Sequence, residues 1–231
     1  MTMITIPSKD GKSFSAYLAQ SAKMPAPVVI VIQEIFGVTD ELKAKCDTLA
    51  KEGFIAVCPD LFWRLEPGLN LNSTVDADRA KAFDLFSKFD VNKGIDDLRA
   101  VMHTFKSHAD SNGKMGCVGY CLGGKLAFLM ACRAPLDASV SYYGVGLDQL
   151  LGEASSIKGK LMLHIAEGDK FVSPAAQQVI KEGLKDNKHV AIHSYAGVDH
   201  AFSREGGDSY DEKASALAYE RTITFFRSNL R

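Results

Sequence analysis

Lys114-Met115-Gly116-Cys117-Val118-Gly119-Tyr120-Cys121-Leu122-Gly123-Gly124 is the stretch on which the fold turns. Lys114–Val118 reads as a strand, and Leu122–Cys132 as a mostly apolar helix. Between them, Gly119-Tyr120-Cys121-Leu122-Gly123 has the pattern Gly-x-Cys-x-Gly, a nucleophile elbow with sulfur in place of the hydroxyl. The glycines have a steric reason. The nucleophile stands on a sharp strand-to-helix turn, and side chains two residues to either side would collide with the neighbouring strand and helix. The turn also sets Cys121 at a helix N-terminus, where the dipole favours a thiolate. A buried apolar role suits Cys46, Cys58, Cys117 and Cys132, which lie inside helix or strand patterns. It leaves the glycines around Cys121 without a purpose.

Upstream of the elbow, Val28–Ile32 is an unbroken β-branched run preceded by Pro25 and Pro27. A run apolar on both faces suits a central parallel strand covered by helices. A helix starts near Thr39, with Asp40 and Glu41 at the positive end of its dipole. Leu42, Cys46, Leu49 and Ala50 form one apolar stripe, Gly53 closes the helix, and Phe54–Cys58 resumes as a strand. Strand, helix, strand implies a right-handed crossover. Two short strands, Met3–Ile6 and Phe14–Ala19, come first, parted by the turn Ser8–Gly11. Helical patterns occupy Asp76–Lys88 and Lys93–Lys106. After the elbow, Ala138–Tyr142 and Lys160–Ala166 are strands with a loop and short helix between them. Pro174 opens a helix, His189–Tyr195 is a strand, and Tyr210–Arg227 is a closing amphipathic helix. The alternation predicts an α/β protein: one domain over residues 1–231, with a mostly parallel central sheet and helices on both faces. Active sites in such sheets gather at the carboxyl ends of the strands.

Composition sets limits on function. The chain has 231 residues, 27 Lys+Arg against 28 Asp+Glu, and a formal net charge of -1. That balance argues against a generic nucleic-acid or anionic-membrane binder, both of which need a basic excess. No apolar run approaches the roughly 18 residues of a membrane span. The first residues show neither a basic region nor a continuous apolar one of the secretory kind. Five cysteines without a framework pattern read as reduced thiols of a cytoplasmic protein. No heptads point to an oligomer, so a monomer is the default.

An elbow nucleophile needs a base, and the base an orienting carboxylate, in the chain order nucleophile, acid, histidine. Asp169 follows the strand Lys160–Ala166 in a loop, with Glu167 as a rival acid nearer the strand. His200 lies in the loop after His189–Tyr195, beyond the strand end. The other histidines compete badly. His164 and His193 sit within strand patterns, His189 begins one, and His103 and His108 belong to a helix. The spacing of His189 and His193 has no acidic or cysteine partner nearby, so no metal site is assigned.

With these residues in place, the chain resembles the dienelactone hydrolase (carboxymethylenebutenolidase) family of α/β-hydrolases along nearly its whole length. The resemblance rests on Gln33-Glu34-Ile35-Phe36-Gly37, Cys58-Pro59-Asp60-Leu61, Gly119–Gly124, Tyr142-Tyr143-Gly144-Val145-Gly146, and His200-Ala201-Phe202 followed by Arg204. The cysteine nucleophile sets this family apart from the serine esterases of the same fold. The resemblance implies an α/β-hydrolase fold and lactone hydrolysis. Cys121 is then the nucleophile, His200 the base and then the acid, and Asp169 its orienter. The backbone N–H groups of Ile35 and Leu122 form the oxyanion hole. Glu34 interacts with the resting thiol and is displaced by substrate, and Arg79 and Arg204 hold a substrate carboxylate. No metal or cofactor is required, and the partner is a small acidic lactone. Glu34 also stands out by position, directly after a central apolar strand; a plain loop charge is its simpler reading. Arg79 likewise reads as an ordinary solvated arginine at a helix start.

The chain departs from the family pattern at Phe83, where relatives often have tyrosine, at Trp63, where they have a small residue, and at Ala201, where they have serine. Each leaves the triad intact and puts the accepted lactone in question. Two alternatives follow. One is a hydrolase of other small esters, lactones or thioesters on the same triad. The other is a redox-sensing or ligand-binding protein that oxidises Cys121 reversibly and has no need of Asp169 and His200 in triad order.

Overall fold

The turn at Ser8–Gly11 folds as its composition predicts. Ser8 N–H donates to the Lys12 carbonyl at 2.8 Å, and Gly11 takes a φ of 79°. Across it, β1 (Thr2–Pro7) pairs antiparallel with β2 (Ser13–Ala19). The computed structural model describes residues 2–230. Contacts gather the chain into two units, one running to Gly116 and the other beginning at Cys117.

In the first unit the expected central strand is β3 (Ala26–Ile32), buried at all of its 7 positions. The helix α1 (Asp40–Lys51) follows, and the chain returns as β4 (Ile55–Pro59), parallel to β3 with Val28 opposite Ile55. Thr39 is the cap: its hydroxyl accepts from Leu42 N–H at 3.2 Å, and the predicted stripe of Leu42, Cys46, Leu49 and Ala50 is buried. Gly53 ends the element with a φ of 96°, a conformation that glycine adopts without cost. β2 lies antiparallel to β4, so the strand order in this unit is β1-β2-β4-β3. Two helices complete it, α2 (Asp76–Ser87) and α3 (Val91–Lys106). α3 begins two residues before the expected Lys93 because Asp90 caps it, accepting from Asn92 and Lys93 N–H. It ends at Lys106, so His108 falls in the following turn rather than in the helix.

The strand β5 (Ser111–Tyr120) crosses from one unit to the other. It starts ahead of the expected Lys114, because backbone pairing runs on through the polar Ser111-Asn112-Gly113, where side-chain alternation gives no signal. In the second unit the order is β5-β6-β7-β8, with β6 (Ala138–Tyr142), β7 (Lys160–Ala166) and β8 (Val190–Tyr195). β6 pairs parallel with β7, and β7 with β8. The helices here are α4 (Leu122–Arg133), α5 (Pro174–Leu184) and α6 (Glu212–Asn229). Two 3-10 turns, Leu147–Gln149 and Leu151–Ser156, take the place of the short helix expected between β6 and β7. α6 starts at Glu212 rather than Tyr210 because Asp211 caps it, accepting from Ala214 N–H at 2.8 Å. Phe128, Leu147, Leu161, Leu163, Ile180 and Leu184 form one core under α4 and α5. Each such side chain contributes about 1.5–3 kcal/mol by leaving water.

The pairing is mostly parallel, with the antiparallel part confined to β1 and β2, which is the α/β class the sequence predicts. No helix among the described residues is long and apolar enough to cross a membrane.

Candidate active site

Three loops in the second unit leave the carboxyl ends of their strands and carry Cys121, Asp169 and His200. The first is the elbow. Cys121 occupies the N-cap of α4 with φ 56° and ψ -112°, a conformation that side chains rarely adopt. Such strain costs on the order of 1–3 kcal/mol and persists only where its surroundings impose it. Here they do. Cys121 N–H donates to the Tyr142 carbonyl at 3.1 Å, and its own carbonyl accepts from Lys125 N–H at 3.1 Å. A methyl group on Gly119 would overlap the Gly123 carbonyl, and one on Gly124 would lie 2.6 Å from the Tyr142 carbonyl oxygen and 2.8 Å from Gly144 Cα. The expected steric role is seen at Gly119, and it extends to Gly124. Leu122 is the first residue of α4, where amides lack partners within the helix.

Cys121 is partly exposed, whereas Cys46, Cys58, Cys117 and Cys132 are buried, as their helix and strand patterns predict. Burial pushes the Cys117 and Cys132 thiols up to about 12, and Cys58 well above its ordinary value. These three are poor nucleophiles near neutral pH.

The second and third loops meet each other. Asp169 Oδ2 and His200 Nδ1 are 2.8 Å apart, with the two side chains 2% and 7% exposed. Asp169 Oδ1 accepts from the Phe171 and Val172 N–H groups at 2.8 and 3.2 Å, so both carboxylate oxygens are engaged. A carboxylate facing Nδ1 favours a proton there and leaves Nε2 for other partners. Nε2 is buried and has no hydrogen-bond partner at rest. Burial works to lower the basicity of His200. The negative charge at Cys121 and the hydrogen bond with Asp169 outweigh it, raising the imidazole to about 10. Charge thus couples Cys121 and His200, and the 2.8 Å hydrogen bond couples Asp169 and His200.

Aromatic rings brace the imidazole. Tyr143 and Phe171 meet it edge-on at centroid distances of 5.0 and 4.8 Å. Tyr143 is buried, and its hydroxyl bonds Ser203 Oγ at 2.8 Å, tying the loop after β6 to the loop of His200. Among the described residues, the non-glycine positions of positive φ are Cys121, Tyr143 (38°) and Ala201 (63°). One carries the thiol, one touches His200 and one follows it. Backbone strain of this kind clusters at functional sites. Tyr143 falls within a stretch that the sequence reading quoted without giving it a role, and nothing local signalled its contact with His200.

His164 is placed differently. His164 bonds Tyr195 Oη at 2.7 Å and Thr222 Oγ1 at 3.0 Å, and burial holds it well below its ordinary range. Glu167 points its charge at Lys181 rather than at a histidine. Arg204 is half-buried, four residues past His200, with its N–H closing a turn onto the Ala201 carbonyl at 2.9 Å.

Glu34, Ile35 and Arg79 belong to the first unit. Glu34 and Ile35 follow β3 and are 9% and 5% exposed. Gln33 fixes their backbone: its Oε1 accepts from Leu61 N–H at 2.9 Å, and its Nε2 donates to the Glu34 carbonyl at 3.3 Å. Arg79 lies in the first turn of α2, donating to the Ser73 carbonyl at 2.9 Å and pairing with Asp76. Trp63 donates from Nε1 to the buried Asp97 at 2.9 Å and stacks on Phe14 at 5.7 Å.

Comparison with known proteins gives the family and the fold. Residues 14–230 match the model of the dienelactone hydrolase family. The chain is 40% identical over 222 residues to a carboxymethylenebutenolidase of Pseudomonas putida, covering 96% of this chain and 94% of that protein. It is 37% identical to carboxymethylenebutenolidase 1 of Cupriavidus pinatubonensis, over 95% and 94% of the two chains. A solved Klebsiella pneumoniae structure bearing the dienelactone hydrolase name superposes with a TM-score of 0.83 at 26% identity, over 98% of this chain and 99% of that one. A dienelactone hydrolase from Anabaena variabilis, at 14% identity and TM-score 0.72, covers 100% and 98% of the two chains and shares the fold.

Proposed function

This chain belongs to the dienelactone hydrolase family, and from that premise we propose that it hydrolyses a dienelactone to maleylacetate through a Cys121 thioester. The observation that carries the cysteine chemistry is the buried pair of Asp169 Oδ2 and His200 Nδ1 at 2.8 Å, with His200 raised to about 10 by the charge at Cys121 and by Asp169. The proposed mechanism starts from a thiolate–imidazolium pair.

The thiolate attacks the lactone carbonyl carbon, and a C–S bond forms. The carbonyl electrons move to oxygen, which backbone N–H groups stabilise; the family resemblance supplies Leu122 and Ile35 for this role. Losing one such donor costs about 10²–10³ in rate in comparable enzymes. The intermediate collapses by breaking the ring C–O bond, and the departing enolate accepts the proton of imidazolium. With the thiolate consumed as a thioester, the largest influence raising His200 is gone, and the neutral imidazole can take a proton from water. The resulting hydroxide attacks the thioester, the C–S bond breaks, and the thiolate–imidazolium pair is restored. Arg204, with Arg79 by resemblance, is suited to hold the substrate carboxylate through bidentate hydrogen bonds.

Cys121→Ala tests the reading. Dienelactone turnover should be lost while the protein still melts cooperatively. Substantial remaining turnover would remove Cys121 from the nucleophile's role. A second reading, hydrolysis of other small esters, lactones or thioesters on the same residues, is favoured by Phe83 and Ala201, which lack the hydroxyl relatives often carry there, and by Trp63, which stands where they often have a small residue. A panel of cis- and trans-dienelactone and neutral aryl esters separates the two: preference for the acidic lactones supports the first, and preference for neutral esters the second.

A further inference from the structure

The strands β7 and β8 pair up to Ala166 opposite Tyr195, and their chains stay laced beyond that point. Glu167 N–H donates to the Tyr195 carbonyl at 3.0 Å, and Gly168 N–H to the Val198 carbonyl at 2.8 Å. The approach is close enough that a methyl group on Gly168 would lie 2.9 Å from Val198 O. The next rung comes from a side chain. Asp199 Oδ1 accepts from Lys170 N–H at 3.1 Å and from its neighbour His200 N–H at 2.7 Å. One oxygen thus holds the amide following Asp169 and the amide of His200 itself. Asp199 Oδ2 is engaged separately, in an ion pair with Lys170 Nζ at 2.6 Å.

We propose that Asp199 is a positioning residue whose carboxylate oxygen clamps the Asp169 loop to the His200 loop and so fixes the orientation of the imidazole. The inference rests on the cysteine-hydrolase reading above. Asp199 touches no reacting atom. It acts by holding the two backbones that present the acid and the base, at the point where strand pairing no longer does so. Both amides need an acceptor oxygen, and neither needs a charge, so the clamp and the ion pair with Lys170 are separable.

Three variants test this, with kcat and KM measured on dienelactone and on p-nitrophenyl acetate. Asp199→Ala removes the acceptor and should lower kcat on both about ten- to a hundredfold with KM nearly unchanged, the scale expected when a catalytic group is misplaced by a fraction of an ångström or more. Asp199→Asn keeps an acceptor oxygen and should restore most of kcat. Lys170→Met removes the ion pair and leaves the clamp, so kcat should stay close to that of the parent. A merely structural Asp199 would lower the melting temperature of Asp199→Ala and leave kcat of the folded protein unmoved, which would overturn the proposal. So would Asp199→Asn falling as far as Asp199→Ala, or Lys170→Met falling with them, since charge would then be the active property. The Cys121→Ala control keeps the two levels apart. Its loss of turnover beside an unaffected Asp199→Ala sinks the clamp alone, whereas retained turnover in Cys121→Ala sinks the underlying reading and the clamp with it.

Discussion

At the scale of single residues, chemistry depends on how two side chains influence one another through charge. His200 is 7% exposed, and desolvation alone would favour its neutral form. It is instead raised from 6.5 to about 10, so the imidazolium persists up to that pH and is lost above it. NMR titration of the histidine ring should therefore place His200 near 10, well above its ordinary 6.5. In Cys121→Ala the same titration should move down, because the largest raising influence has been removed. An ordinary value in the parent protein, or the same value in both proteins, would contradict the coupling. The triad candidates were legible in the sequence because each obeys a local rule: glycines bracket Cys121, and Asp169 and His200 follow strand ends in the required order. Tyr143, Phe171 and Asp199 were not. Their importance lies in contacts with His200 or with its loop that only the folded chain creates, such as the Tyr143 hydroxyl on Ser203, 60 positions further on.

Secondary-structure elements respond to different constraints. Apolar periodicity located α1 and β3, and the ends of α3 and α6 were set by caps. Asp90 and Asp211 each hold the free amides of a first turn, and both were passed over because the residues beside them break the apolar pattern. The elbow shows the strictest demand on an element. α4 approaches β6 so closely that Gly124 leaves no room for a methyl group beside Tyr142 O and Gly144 Cα. Those contacts are backbone and cannot swing aside. Gly124→Ala should therefore force α4 outward and destabilise the protein by several kcal/mol, on the scale of severe overpacking. Denaturant unfolding measures this directly, and a stability within about 0.5 kcal/mol of the parent, the range of an ordinary surface change, would show that the helix can yield.

For the molecule as a whole, the α/β class was legible from alternation alone, because buried strands and amphipathic helices differ in period. The pairing partners of the strands were not, since register depends on residues far apart in the chain, such as Ala16 opposite Pro59. Function was legible in proportion to how local its signals were. An elbow is spelled out in consecutive residues, whereas the frame around His200 draws on the loops after β6, β7 and β8. The proposed function turns on one chemical event, transfer of an acyl group to the sulfur of Cys121. The most direct measurement is the intact mass of the protein quenched within milliseconds of mixing with an activated ester, followed by mapping of the modified peptide. The account predicts one acyl group on the peptide bearing Cys121, and no adduct in Cys121→Ala. Hydrolysis that proceeds with the acyl group carried on another residue would contradict it.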